Sequence, residues 1–86
     1  MMIEIVVLGF FQDYVGKKNI ELEIGKPVTI REILKKISPE LAEYVENHPE
    51  NSIILVNGVS IYNMKGFDTR VRDGDKVSIM PVVGGG

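Results

Sequence analysis

One amphipathic helix pattern, lying between two groups of strand-like segments, limits most strongly how this chain can fold. Four apolar side chains recur at the i, i+3, i+4 and i+7 spacing of a helix: Ile30, Ile33, Leu34 and Ile37. Thr29 and Glu32 have the spacing of a capping box, which satisfies backbone N–H groups of the first turn and therefore predicts the helix start. The apolar stripe must pack against another layer, and in a chain of 86 residues the strands supply it.

The segments before this helix alternate in the manner of β-strands. In residues 2–10 the alternation gives way to apolar side chains on both faces, which predicts a central strand. Residues 19–24 alternate strictly and predict a half-exposed strand that forms a hairpin with the first. The residues between them, 11–18, are predicted to be a connector.

A second group of strands is predicted after the helix. Ser38 and Pro39 end the first helix and can cap a short second one, because proline is well tolerated at the first helical position. Strands are predicted at residues 52–56, 59–62 and 76–80, and a loop through Lys65, Gly66 and Asp68 leads to residues 69–72. Asn57 and Gly58 predict a hairpin turn, because both central residues of a type I′ turn need a positive φ.

This order of elements predicts an α+β roll of the form ββαββ, with one main helix across one face of a mixed sheet. The connection through the helix should be a right-handed crossover, which places the final strand parallel to the first and beside it in mid-sheet. Ile3, Ile5, Val7, Val77 and Ile79 are then expected to face the helix. Residues 1–80 form one predicted domain, and residues 81–86 form a C-terminal tail.

Charge and composition exclude several classes of function. A net charge of −2 and a pI near 5.3 provide no basic field for nucleic acid. There is no cysteine and only one histidine, His48, so disulfides, thiolate chemistry and histidine-rich metal sites are not expected. The longest nearly apolar run, residues 5–11, is too short to span a membrane, and a cytoplasmic location is the resulting expectation.

The C-terminal residues are the candidate functional segment. Pro81, Val82 and Val83 lead into three final glycines, Gly84, Gly85 and Gly86. Glycine has no side chain to bury and loses the most backbone entropy on ordering, so this tail is expected to be mobile in the isolated protein. Its six residues, fully extended, reach about 20 Å. The functional hypothesis is that a partner activates the carboxylate of Gly86, and the alternative is an inert flexible end.

Three stretches carry a family resemblance. They are residues 55–58 (Leu-Val-Asn-Gly), residues 68–77 (Asp-Thr-Arg-Val-Arg-Asp-Gly-Asp-Lys-Val) and residues 80–86 (Met-Pro-Val-Val-Gly-Gly-Gly). Together they resemble the MoaD/ThiS group of ubiquitin-like sulfur carriers, whose fold is the β-grasp, and the length most resembles MoaD, the small subunit of molybdopterin synthase. A single proline before the tail departs from the two consecutive prolines that MoaD proteins often have.

The resemblance implies a protein that is a co-substrate and not itself an enzyme. An ATP-dependent activating enzyme of the MoeB/ThiF type would adenylate the carboxylate of Gly86, and a persulfide donor would convert it to a thiocarboxylate. A MoaE-like large subunit, which the tail enters, would then receive the sulfur for molybdopterin. No bound cofactor is implied, because the ATP belongs to the activating enzyme. ThiS-like thiazole synthesis, tRNA thiolation and conjugation to protein lysines remain alternatives.

Two groups of side chains are candidates for partner docking. Strand parity puts four apolar residues on the sheet face away from the helix: Val6, Leu8, Phe10 and Met80. Three basic residues lie near the tail in sequence: Arg70, Arg72 and Lys76. The alternatives are a central strand covered on both faces by loops, and a solvated turn that Asp73 and Asp75 neutralise locally.

Overall fold

A five-stranded sheet with helices packed on one face organises the fold. The structure, a computed structural model, describes residues 1–82. The strands are β1 (Met2–Val7), β2 (Asn19–Glu23), β3 (Val28–Thr29), β4 (Ser52–Val56), β5 (Val59–Ser60), β6 (Arg70–Val71) and β7 (Lys76–Pro81). The helices are α1 (Gln12–Val15), α2 (Ile30–Ile37) and α3 (Pro39–Asn47). The large sheet has the order β2-β1-β7-β4-β5, and β3 pairs with β6 in a separate two-stranded sheet.

The predicted strand pairings at the centre of the sheet are confirmed. Strand β1 pairs antiparallel with β2, as the hairpin prediction required, and parallel with β7. In that parallel register Ile5 lies opposite Val77, and Val7 lies opposite Ile79. Strand β7 also pairs antiparallel with β4, so hydrogen-bonded neighbours flank the last strand on both sides. The chain therefore has the predicted α+β, β-grasp arrangement.

The core lies between the sheet and helices α2 and α3. The five strand residues predicted to face the helix are completely buried, at 0% exposure: Ile3, Ile5, Val7, Val77 and Ile79. From the helical layer, six side chains are buried with them: Ile30, Ile33, Leu34, Leu41, Ala42 and Val45. These residues belong to one core cluster, in which the apolar side of the helix packs against the strands as its sequence pattern predicted.

Both predicted helix starts have side-chain caps. The backbone N–H of Glu32 donates to Thr29 Oγ1 at 3.2 Å, and the Thr29 hydroxyl donates to the Glu32 carboxylate at 3.3 Å. The backbone N–H of Leu41 donates to Ser38 Oγ at 3.1 Å, with Pro39 at the first position of α3. The hairpin turn is also confirmed, since Asn57 has φ = 50°.

Several local predictions were wrong in extent. Strand β1 ends at Val7, because Gly9 adopts φ = +62° and begins a 3-10 turn, Gly9–Phe11, that continues into α1. The predicted connector over residues 11–18 therefore contains a helix. The return strand predicted at residues 59–62 is only two residues long before the chain turns into a 3-10 helix.

Strand β7 extends one residue past its predicted end. Pro81 is the last residue of the strand and lies opposite Ser52 of β4. Proline has no N–H to donate to the ladder, so the strand ends with it. The next N–H, that of Val82, donates to the carbonyl of Asn51 at 2.9 Å.

Candidate functional site

The point where the chain leaves the sheet is defined by contacts on two sides of Pro81, and we call Pro81 and Val82 the tail root. On one side, the Val82 N–H bonds the Asn51 carbonyl. On the other, Gly9 lies so close that a Cβ built on it would be 2.8 Å from Pro81 Cγ. The predicted functional residues Val83, Gly84, Gly85 and Gly86 lie outside the described residues.

Replacing Gly9 by alanine tests the contact with Pro81. Gly9→Ala adds both a methyl group in the space of the proline ring and a side chain at a positive φ, and it should lower the free energy of unfolding by about 2–4 kcal/mol. Gly16→Ala is a matched control, because Gly16 has φ = +85° with open space around it and should lose only about 1–2 kcal/mol. Urea denaturation measures both, and equal losses would show that the Pro81 contact carries no cost.

The face of the large sheet away from the helices carries an apolar surface, which we call the open face. It comprises Val6, Leu8, Ile53, Leu55 and Met80. Val6 and Met80, which lie in central strands, and Leu8, which directly follows β1, are partly buried. Ile53 lies directly opposite Met80 in the β4–β7 ladder and is 38% exposed. Ile53 and Leu55 were not predicted to lie on this face, although their alternation with Ile54 and Val56 along β4 indicates it.

Phe10 does not belong to a strand. It lies in the 3-10 turn directly after Gly9, is 54% exposed, and its ring packs edge-on against Phe11 with centroids 5.0 Å apart. Because Gly9 touches Pro81, Phe10 follows the residue that borders the tail root. An exposed aromatic ring at this position suits a partner contact, since aromatic side chains are enriched in protein interfaces.

The three predicted basic residues do not gather at the tail root. Lys76 begins β7 and Pro81 ends it, which separates them by about 17 Å at the usual rise per strand residue. Arg70 lies in β6, paired with Thr29 of the small sheet, and Arg72 follows that strand. The structure therefore divides the two candidate docking groups between different parts of the surface.

The acids interleaved with these basic residues, Asp73 and Asp75, accept hydrogen bonds from backbone and side-chain N–H groups. Asp73 Oδ1 accepts the Met2 N–H at 2.8 Å. Asp75 Oδ2 accepts the Arg72 N–H, and its Oδ1 accepts the Asn57 side-chain amide, both at 2.9 Å. Within residues 1–82, neither acid forms an ion pair with a neighbouring basic side chain.

Across residues 1–82, no three histidine, cysteine or acidic side chains come together in a group that could hold a metal ion. Within the same residues, no helix has both the length and the apolar character needed to cross a membrane.

The five-stranded β-grasp sheet with the capped helix packed on one face is the fold of a ubiquitin-like protein. The model of the ThiS family matches residues 5–86, nearly the whole chain. The chain therefore belongs to the ThiS family, as its sequence resemblance indicated. It belongs to a class of small carrier and modifier proteins, which are not themselves enzymes.

Three archaeal proteins are similar to this chain. The chain is 30% identical to small archaeal modifier protein 3 of Haloferax volcanii over 93 aligned positions that cover all of both proteins. It is 39% identical over 79 positions to the "Putative sulfur carrier protein" of Archaeoglobus fulgidus, covering 84% of this chain and 89% of the relative. The solution structure of the HVO 2177 protein of Haloferax volcanii has a TM-score of 0.79 at 28% identity, covering 100% of this chain and 87% of the other.

Proposed function

We propose that this chain carries sulfur as a thiocarboxylate on Gly86. The observation that carries the proposal is the family match, which includes the glycine sequence at residues 84–86 as well as the folded body. The chain contains no cysteine, so a sulfur atom that it carries cannot be held on a side-chain thiol. The carboxyl group of Gly86 can hold that sulfur once one of its oxygens has been exchanged for sulfur.

The exchange requires activation, because a carboxylate does not lose oxygen to a thiolate directly. In the proposed first step, a carboxylate oxygen of Gly86 attacks the α-phosphorus of ATP on an activating enzyme of the MoeB/ThiF type, and pyrophosphate leaves. The terminal sulfur of a persulfide then attacks the acyl carbon and AMP leaves. A thiol supplied by a partner finally attacks the donor's sulfur in the resulting acyl disulfide. The S–S bond breaks, a disulfide forms between that thiol and the donor, and the thiocarboxylate remains on the chain.

The body positions the reacting end without taking part in the chemistry. Strand β7 is hydrogen-bonded on both sides, and the contacts of Pro81 and Val82 set the direction in which the chain leaves the sheet. Residues without a Cβ suit a narrow channel in a partner. The open face offers apolar area beside the tail root for the same partner to cover.

The sulfur acceptor is proposed from the sequence resemblance. The length of the chain favours molybdopterin synthesis, in which a MoaE-like large subunit would hold the pterin precursor. Thiazole synthesis and tRNA thiolation use the same activated chain end, so the carrier chemistry proposed for Gly86 is common to all three.

Intact-mass analysis tests the carrier function. The purified chain is incubated with ATP, an activating enzyme and a persulfide donor, and an oxygen-to-sulfur mass change at the C-terminal peptide is the expected result. A parallel reaction without ATP should leave the mass unchanged. Failure to form the product, with an enzyme preparation shown to be active on another carrier, contradicts the proposal.

A second candidate function is conjugation to protein lysines. The observation in its favour is the full-length similarity to small archaeal modifier protein 3, at 30% identity. In that reaction a lysine amine attacks the activated Gly86 acyl group and forms an isopeptide bond. High-mass conjugates in a lysate that vanish when Gly86 is deleted would favour this function, and their absence would favour sulfur delivery to a small molecule or to tRNA.

A further inference from the structure

A cleft of about 460 Å³ lies on the surface beside the small sheet, and we call it the basic cleft. Six residues line it: Met64, Lys65, Asp68, Thr69, Arg70 and Arg72. Its volume falls within the range of about 300–1,000 Å³ that is usual for binding sites. Neither Pro81 nor Val82 lines the cleft, and the backbone N–H of its Arg72 bonds Asp75, which precedes β7 at the end opposite the tail root.

The charges of this cleft are not balanced within the described body. Its single acid, Asp68, forms an ion pair with Arg31, which also bonds Glu46 at 2.7 Å. These hydrogen bonds, with that of Asp68 the larger effect, raise the pKa of Arg31. Within residues 1–82, Lys65, Arg70 and Arg72 make no ion pair. The cleft therefore presents three cationic side chains and one acid, Asp68, which is paired with Arg31.

The shape and rigidity of the cleft also suit a ligand. Thr69 is buried, its hydroxyl oxygen accepts the Lys65 N–H at 3.0 Å, and its carbonyl accepts the N–H of Ile30 at the start of α2. These bonds fix the cleft floor to the helix. Met64, which is 47% exposed, adds an adaptable apolar contact beside the cationic groups. A matching ligand carries two or three anionic groups close to one apolar side chain.

The rest of the molecule favours a peptide over nucleic acid as the source of those anions. The net charge of the chain is −2, so a long polyphosphate backbone would meet repulsion beyond the cleft. A short acidic segment places its charges only where the three cations lie. Such a segment can also supply the aliphatic side chain that Met64 would contact.

We propose that the basic cleft docks a short acidic segment of the protein that processes Gly86. The inference rests on the proposed function for the identity of that partner. Because the cleft lies apart from the tail root, the segment can remain bound while residues 83–86 are in the partner's active site. The partner thereby holds the carrier at a second position, which lowers the carrier concentration it needs.

A peptide titration tests the docking without any chemistry. The full chain, labelled with ¹⁵N, is titrated with the acetylated and amidated pentapeptide Glu-Asp-Leu-Glu-Asp, and amide shifts are followed in two-dimensional spectra. Saturable shifts confined to residues 64–72 are expected. The neutral peptide Gln-Asn-Leu-Gln-Asn should give none. Absence of shifts at residues 64–72 overturns the proposal.

Matched charge removals make the test specific. Arg70→Gln with Arg72→Gln should weaken peptide binding about fivefold, since each exposed pair contributes modestly. Lys17→Gln with Lys18→Gln removes the same charge from the loop before β2 and should leave binding unchanged. Equal weakening by both pairs overturns the proposal, as does stronger binding of a ten-nucleotide oligouridylate. Self-association through the cleft, detected by sedimentation, also overturns it.

The link to the proposed function is measured separately. With the activating enzyme, the cleft variant should raise the KM for the carrier about fivefold, and the lysine control should not. An unchanged KM together with normal thiocarboxylate formation overturns the docking inference and leaves the proposed function standing. If no thiocarboxylate forms with the unmodified chain, the proposed function fails whatever the peptide result.

Discussion

Deletion of Gly86 is expected to reduce thiocarboxylate formation at least about 100-fold while leaving the body folded. The deletion moves the reacting carboxylate back by one residue, about 3.5 Å in an extended chain, and a displacement of even 1 Å can cost about 100-fold in rate. The core cluster lies entirely within residues 3–79, so the deletion removes none of its side chains. Intact-mass analysis after reaction with ATP, activating enzyme and persulfide donor measures the loss.

Two further measurements distinguish a shortened C-terminal segment from a destabilised body as the cause of the loss. The thermal midpoint of the deletion variant should equal that of the unmodified chain. Gly85→Glu keeps the length but adds a bulky charged side chain, and it should abolish the reaction by blocking a narrow channel. A deletion variant that forms as much thiocarboxylate as the unmodified chain would exclude Gly86 as the reacting residue.

Replacement of Phe11 by alanine is expected to lower the free energy of unfolding by about 3–5 kcal/mol, because a fully buried ring is removed and a cavity remains. Phe11 has 0% exposure, and its ring makes edge-on contacts with Tyr14 and Tyr44 at centroid distances of 6.3 and 5.8 Å. A loss of this size is a large share of the stability of a domain of this length. Chemical denaturation monitored by circular dichroism measures it.

The neighbouring phenylalanine provides a matched control. Phe10→Ala removes an exposed ring and should cost about 1 kcal/mol or less, mostly from its contact with Phe11. It should instead weaken binding to the activating enzyme, measured by titration calorimetry. Equal destabilisation by the two substitutions would contradict the different roles that the structure gives these adjacent residues.

The elements that sequence reasoning predicted correctly are those whose patterns repeat. Helix α2 has four apolar residues at helical spacing and a capping threonine, so local chemistry alone specifies it. The parallel pairing of β1 with β7 is expected of a crossover connection through the helix, which returns the chain in the same direction and is right-handed as a general rule. The five residues predicted to face the helix are buried because they alternate along their strands and so share one face of the sheet.

The missed features depend on contacts that no local pattern encodes. Strands β3 and β6 are two residues each, too short for an alternation to be visible. Phe11 reads as part of a connector because its burial depends on the turn that begins at Gly9. The tail could be selected from its glycines alone. The positions of Arg70, Arg72 and Lys76 could not be predicted in this way, because residues close to the tail in sequence lie far from it once the strands have paired.

The double pairing of β7 has a mechanical consequence. A partner that grips the C-terminal segment and pulls transmits the load along a strand that is bonded to β1 on one side and β4 on the other. Hydrogen bonds that run across the direction of pull are sheared together, whereas bonds at a free edge can be peeled apart in succession. The fold is therefore expected to resist tension applied to its C-terminal segment, because both ladders of β7 would have to break together.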